Sequence, residues 1–176
     1  VSLSWIMLSL FGAVPFYLSG YFESFIDCFF ETVSGFTTTG STILKNVEIV
    51  SNGLLFWRSF THWIGGMGVL VFILSLLPLT GGSHMNLMKA ESPGPSVSRL
   101  VPKVQTTAKL LYEIYIVMTI AEIVILLVGG MPLFEALTIS FGTAGTGGFA
   151  VKNSSMGGYS NFLQWVVTIF MILFGI

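Results

Sequence analysis

Residues 29–42 read FFETVSGFTTTGST and carry the strongest structural signal in the chain. They place a short apolar segment directly before a run of threonine and glycine. Residues 132–149, PLFEALTISFGTAGTGGF, repeat that order. Each apolar segment is shorter than the roughly 20 residues that a helix needs to cross a bilayer. This length is typical of a re-entrant segment, which enters a membrane and returns to the same side.

The composition independently indicates an integral membrane protein. Of the 176 residues, 53% are hydrophobic and 9% are charged, and the mean hydropathy is +0.88. A soluble domain carries about 25% charged residues, so the charges here are too few to cover a water-exposed surface. This excludes a cytosolic enzyme, a nucleic-acid-binding protein and a disordered chain. The single cysteine, Cys28, excludes an intramolecular disulfide and a cysteine-rich metal site.

Apolar stretches surround the two re-entrant segments. Four are long enough to cross a membrane, namely residues 1–22, 59–83, 110–130 and 153–176. The connector after the second stretch is rich in proline and glycine and carries four of the seven basic residues, so the positive-inside rule places it in the cytoplasm. Both ends of the chain lie in apolar runs, and we therefore expect the chain to be part of a longer protein.

The order of these segments predicts an internal repeat of helix, re-entrant loop and helix. The first unit is residues 1–78, the second is 107–176, and a basic cytoplasmic linker, 79–106, joins them. The predicted parts are helix 1–19, half-helix 21–35, Gly/Thr run 36–42 and helix 54–78, then helix 107–130, half-helix 132–141, Gly/Thr run 142–149 and helix 158–176. An offset of about 108 residues aligns Gly40 with Gly148, and an offset of about 105, which aligns Gly40 with Gly145, is the alternative.

The Gly/Thr runs have the chemistry of a cation site. Irregular backbone at membrane depth is tolerated only where it is buried in protein or lines a watery path. There, carbonyl oxygens can replace the hydration shell of an ion, and glycine permits the backbone angles that turn carbonyls inward. The alternative is that the runs are packing loops in which glycine lets helices approach closely. Two runs at equivalent points of two units favour the cation site.

These stretches, together with WRSFTHWIGGMG at residues 57–68, resemble the Trk/Ktr family of potassium-uptake membrane proteins, and most closely its TrkH/TrkG branch. The resemblance implies an all-α integral membrane fold of four helix–pore loop–helix repeats, similar to potassium channels, of which this chain contains two. It also implies a filter for potassium, the transported ion, with no cofactor. The implied filter residues are Thr38, Thr39, Gly40, Thr146, Gly147 and Gly148, and the ion would bind at Thr38, Thr39, Thr146 and Gly147.

The resemblance also implies partners and a location. The protein would lie in lipid in the inner membrane of a bacterium, with its pore loops facing outside. It would associate with a cytosolic nucleotide-binding regulatory subunit, form a homodimer and bind no nucleic acid.

Several polar residues near the runs are candidates for supporting the filter. Arg58 either extends to the membrane interface or braces the pore loop through Glu31 or Asp27. Glu31 either braces that loop or raises the cation concentration at its mouth. His62 packs against the loop or donates a hydrogen bond to it, and Gly145 is a further supporting position.

Two other carboxyl groups, those of Glu113 and Glu122, lie in the third apolar stretch, 110–130. We expect Glu113 to be solvated, and Glu122 to pack against another repeat or to line the pathway.

The rival function is an intramembrane hydrolase, with Ser34 as nucleophile and His62 as base, and a structural membrane subunit is a third class. Against the hydrolase, residue Thr32 stands where a Gly-x-Ser motif requires glycine.

Overall fold

The computed structural model describes residues 2–68 and 97–175. Within these ranges every regular element is helical, which confirms the predicted all-α class. The helices are α1 (Ser2–Ser19), α2 (Phe25–Phe36), α3 (Asn52–Gly66), α4 (Val97–Val128), α5 (Leu133–Ala144) and α6 (Asn161–Gly175), with a 3-10 turn at Ser155–Gly158 before α6.

Helix α2 begins later than the sequence suggested, at Phe25 instead of residue 21. The Ser24 side chain caps the helix by accepting a hydrogen bond from the Asp27 N–H at 3.2 Å. Asp27 then lies in the first turn, where its negative charge complements the helix dipole. The polar cap thus fixes the start of this helix, although the apolar character of the sequence extends further back.

Helix α5 extends further than expected, through Gly142 and Thr143 to Ala144, so the second Gly/Thr run begins at Gly145. The Thr143 hydroxyl donates to the Ile139 carbonyl at 2.9 Å, and the side chain is buried. A threonine satisfied within its own helix no longer favours a loop. The predicted boundary at residue 142 was therefore wrong by one helical turn.

Helix α4 also starts earlier than predicted, at Val97, so the last part of the expected linker 79–106 is helical. Helix propagation costs little once an apolar segment has nucleated it, and the segment from Ala108 onward supplies that nucleus. Pro102, one of the prolines of that predicted connector, lies within α4. The rest of the predicted linker, 79–96, lies outside the described residues.

Each half of the chain has its own apolar core. In the first half, α1, α2 and α3 enclose Phe16 and Leu55, and Val151 of the second half joins them. In the second half, Leu126 and Ile139 pack with Val167. The two cores are joined where α3 packs against α5, with Phe60 and Trp63 of α3 in contact with Phe141 of α5.

Among the described residues, one helical segment is long and apolar enough to cross a membrane, Ala108–Val128 within α4. Trp5–Ser19 and Asn161–Gly175 are apolar but shorter. Of the predicted span 59–83, residues 59–66 lie in α3, which ends at Gly66 with Met67 as its C-cap, and residues 69–83 lie outside the described part. Many large apolar side chains face outward, including Leu18 at 78% and Val128 at 84% exposure, and a surface of this kind needs lipid or protein to cover it.

We expect Gly12→Ala to destabilise the first half. The glycine lets α1 approach α2 closely, since an added Cβ would lie 2.6 Å from Thr32 Cγ2 and 2.8 Å from Phe36 Cε2. Overpacking of this kind costs about 1–3 kcal/mol. Gly53→Ala is the matched control because that Cβ would meet no atom within 4 Å. Thermal unfolding of the full-length protein in detergent measures both variants, and equal stability in the two would contradict the packing.

Candidate functional site

The two Gly/Thr runs adopt the same unusual backbone conformation. Thr38 has φ 56° and Gly40 has φ 75°, while Thr146 has φ 55° and Gly148 has φ 80°. The members of each pair are 108 positions apart, which is the offset preferred from the sequence. A threonine at positive φ costs roughly 1–2 kcal/mol, so the surrounding structure must hold these residues in place.

The helices that precede the runs end in the same way. In each, one N–H bonds back four residues and the next bonds back three, which tightens the last turn. The four bonds are Thr37 N to Val33 O at 2.8 Å, Gly145 N to Phe141 O at 3.2 Å, Thr38 N to Gly35 O at 3.0 Å and Thr146 N to Thr143 O at 2.8 Å. The chain thus leaves α2 and α5 along equivalent paths.

The two runs touch each other through glycine. A Cβ added to Gly40 would overlap the Gly147 carbonyl oxygen. A Cβ on Gly147 would overlap the His62 ring, and one on Gly145 would lie 2.7 Å from the His62 carbonyl oxygen. The close approach of the runs to each other and to α3 therefore requires glycine at all three positions.

His62 of α3 lies against the second run and is fully buried. Its ring meets Phe149 edge-on, with 4.0 Å between ring centroids. Neither ring nitrogen has a hydrogen-bond partner among the described residues. Of the two roles expected for His62, packing against the loop is the one that the ring contacts show.

Arg58 is buried, with 3% exposure, and does not extend to the membrane interface. Its Nε lies 2.5 Å from Glu31 Oε1. Glu31 also accepts hydrogen bonds from the Thr42 hydroxyl at 2.8 Å and the Ile43 N–H at 3.0 Å. The interfacial alternative for Arg58 was therefore wrong. The alternative in which Glu31 attracts cations at an open mouth is also wrong, because its carboxylate is enclosed and its oxygens are occupied.

Arg58 also contacts the second run. Its Nη1 donates to the Ala150 carbonyl at 3.2 Å, and its guanidinium carbon lies 3.5 Å from the centre of the Phe149 ring. One arginine thus connects both runs, through Glu31 on one side and Phe149–Ala150 on the other. The sequence contained no signal for the contact with Ala150.

The second half has no equivalent of this ion pair. At the same 108-residue offset, the position of Glu31 corresponds to Ile139. Helices α3 and α6 begin at Asn52 and Asn161, so Val167 corresponds to Arg58. Both are apolar core residues. The two runs therefore share their backbone conformation but differ in how they are supported.

A contact between the loops that follow the two runs also joins the halves. Asn153 accepts from the Val47 N–H at 2.9 Å and donates to the Asn46 side chain at 2.7 Å, while its own N–H donates to Glu48 at 3.0 Å. Sequence reasoning missed this cluster because short polar residues in loops form such bonds in many arrangements.

The chemistry expected of a hydrolase is not assembled. The Ser34 hydroxyl donates to the Ser41 carbonyl at 2.6 Å, and His62 makes no hydrogen bond to it. A nucleophilic serine requires its base within hydrogen-bond reach. Ser34 instead fixes the first run to α2. In the described ranges no cluster of three His, Cys, Asp or Glu side chains could hold a metal ion.

Glu113 and Glu122 on α4 differ in exposure, and Glu113 is solvated as expected. The Glu113 side chain is 58% exposed and lies 3.8 Å from Lys109. Glu122 is fully buried, and its neighbour Thr143 belongs to α5 of the same repeat, so packing against another repeat is not what this contact shows and a place beside the pathway stays a prediction. On the loop after the second run, burial and the hydrogen bond to Glu135 raise the pKa of the Tyr159 phenol.

Comparison with known proteins places the chain in a family. The family model described as TrkH, cation transport protein, matches residues 1–176. The chain is 38% identical over 178 residues to the Trk system potassium uptake protein TrkH of Salmonella typhimurium, covering 99% of this chain and 37% of that protein. It is 35% identical to an uncharacterized cation transporter of Methanocaldococcus jannaschii, covering 99% of this chain and 36% of that one.

A solved structure supports the same relationship. The potassium transporter TrkH from Vibrio parahaemolyticus matches with a TM-score of 0.74 at 33% identity, covering 97% of this chain and 34% of that one. This chain therefore spans just over a third of the length of the relatives it matches. The relatives' names describe transport, which agrees with the expectation that the chain is not an enzyme. The chain belongs to the TrkH family of cation transport proteins.

Proposed function

We propose that this chain forms two of the pore segments of a potassium-uptake pathway in an integral membrane protein. The observation that carries the proposal is the contact between two Gly/Thr runs that share one left-handed backbone pattern. The names of the relatives, which describe potassium uptake and cation transport, supply the ion.

The ion would be held by backbone and hydroxyl oxygens of the two runs. The first run contributes Thr38, Thr39 and Gly40, and the second contributes Thr146, Gly147 and Gly148, with potassium bound at Thr38, Thr39, Thr146 and Gly147. Oxygen ligands of this kind replace the hydration shell of a hard cation. The carboxyl-terminal ends of α2 and α5, which carry partial negative charge, lead directly into the runs and favour a cation there.

The surrounding side chains would act as the frame of this filter. Glu31 and Arg58 hold the first run and tie it to the second. His62 fills the space behind Gly145 and Gly147. A frame that fixes both runs keeps their carbonyls in position when an ion leaves, so that the site does not collapse between ions.

The complete pathway would need further segments of the same kind, arranged as helix–pore loop–helix repeats. In this arrangement residues 1–78 and 107–176 are two repeats and 79–106 is a cytoplasmic linker. The runs would face the outside of a bacterial inner membrane. The linker side would bind a cytosolic nucleotide-binding regulatory subunit, and the protein would form a homodimer in lipid.

Gly40→Ser tests the proposed filter. The serine side chain would overlap the Gly147 carbonyl and would sit at positive φ, so rubidium uptake should fall about tenfold, as expected for a barrier change of about 1.4 kcal/mol, or sodium should enter. Uptake is measured with the full-length protein in cells that lack their own potassium transporters. Gly53→Ser is the control. Equal uptake in both variants, with both proteins in the membrane, would refute the filter.

The contact of His62 with the second run predicts a rescue. Gly147→Ala should impair rubidium uptake because the new methyl group would strike the His62 ring. Gly147 has no positive φ, so the defect is steric and His62→Ala should relieve part of it in the double variant. Strictly additive losses in uptake would mean that the ring does not set the position of this run.

The buried ion pair predicts an order of stability. Arg58→Met leaves the Glu31 carboxylate buried without its cation, which costs about 3–5 kcal/mol. The double variant Glu31→Ile with Arg58→Val copies the residues of the second half and should recover part of that loss. Thermal unfolding of the full-length protein reports the order, with Lys109→Met as the exposed-pair control. A double variant less stable than Arg58→Met would show that the unpaired carboxylate is not the source of the loss.

A further inference from the structure

Glu122 is a buried carboxyl group that the filter does not use. It lies on α4, is fully buried, and neither of its oxygens has a hydrogen-bond partner among the described residues. Glu31, the other fully buried carboxylate, is surrounded by three donors. Glu122 therefore needs a different explanation for its place in the protein interior.

Two hydroxyl groups lie near the Glu122 carboxyl, those of Thr143 and Tyr115, and each donates its proton to a backbone carbonyl. Thr143 of α5 lies beside it but donates to the Ile139 carbonyl at 2.9 Å. Tyr115 of α4 donates to the Trp63 carbonyl at 3.0 Å. A hydroxyl has one proton to give, so while these two bonds are kept neither group donates to Glu122. An ionised carboxylate, which only accepts, then gains no hydrogen bond from either.

No cation compensates Glu122 within the described residues. Helix α6 contains no ionisable residue, and α5 contains only Glu135 in its first turn. On α3, Arg58 is bonded to Glu31 and Ala150, and no ion pair joins His62 to Glu122 in the described part. An uncompensated buried ion costs several kcal/mol, whereas a carboxyl group that holds a proton carries no charge and is itself a donor.

We propose that Glu122 is a proton-binding site behind the second Gly/Thr run, and that its neutral carboxyl donates a hydrogen bond to the Thr143 hydroxyl. Thr143 is the link to the run, because its carbonyl accepts the Thr146 N–H at 2.8 Å. Glu122 is thus a positioning residue that supports the last turn of α5. Loss of the proton places a charge beside this turn and loosens the run. This effect on transport rests on the proposed function, whereas the protonation itself does not.

Infrared spectroscopy of the full-length protein in lipid tests the protonation directly. At neutral pH the wild type should show the carbonyl stretch of a buried carboxylic acid, and Glu122→Gln should lose that band. Glu113→Gln, which changes the exposed carboxyl on the same helix, should keep it. A wild-type spectrum whose carboxylic-acid band is identical in Glu122→Gln would overturn the assignment. Should Glu122→Gln fail to fold, Glu122→Asp should shift the band, and an unshifted band would overturn the assignment equally.

The pH dependence of rubidium uptake tests the link to the run. Wild-type uptake should fall as the pH rises, because the proton leaves at higher pH, and Glu122→Gln should lose this dependence. Parallel pH profiles in wild type and Glu122→Gln would overturn the role of Glu122 in positioning the run. Failure of the filter itself is distinguishable, since Gly40→Ser would then leave uptake unchanged while the infrared band of Glu122 persisted.

Discussion

Close contact between two irregular backbone runs is the constraint on which the rest of this structure depends. The Gly40 backbone meets the Gly147 carbonyl with no room for a Cβ, and Thr38 and Thr146 hold strained positive φ angles. Strain of this kind persists only where surrounding groups enforce it. The buried polar groups of α2 and α3 provide this enforcement, with Arg58 at their centre.

The support of the two runs is unequal, although their backbones are alike. The first run is held by a buried ion pair, while Ile139 and Val167 take the equivalent places beside the second. The second run instead rests on His62 from one side and on α5, with Glu122 behind it, from the other. A buried ion pair fixes geometry at the cost of desolvation. The first half therefore contains the buried charged pair that supports its run, whereas the second run is supported mainly by packing.

The two runs and the all-helical class could be predicted from the sequence. A glycine- and threonine-rich run that follows a short apolar helix, and that occurs twice in the chain, is compatible with few structures. The sequence did not reveal the helix boundaries. The Ser24 cap starts α2 within an apolar stretch, and Thr143 remains helical because its hydroxyl bonds within the helix. Arg58 was ambiguous since an arginine near a helix end can reach water or a buried carboxylate, and only the fold brings Glu31 within 2.5 Å.

Crystals of the full-length protein grown with rubidium would test the central claim most directly, through the anomalous scattering of the ion. The proposed site predicts an anomalous peak beside the backbone oxygens of residues 38–40 and 146–148. Rubidium bound elsewhere along the pathway, with no peak between these two runs, would contradict the claim that they coordinate the transported ion.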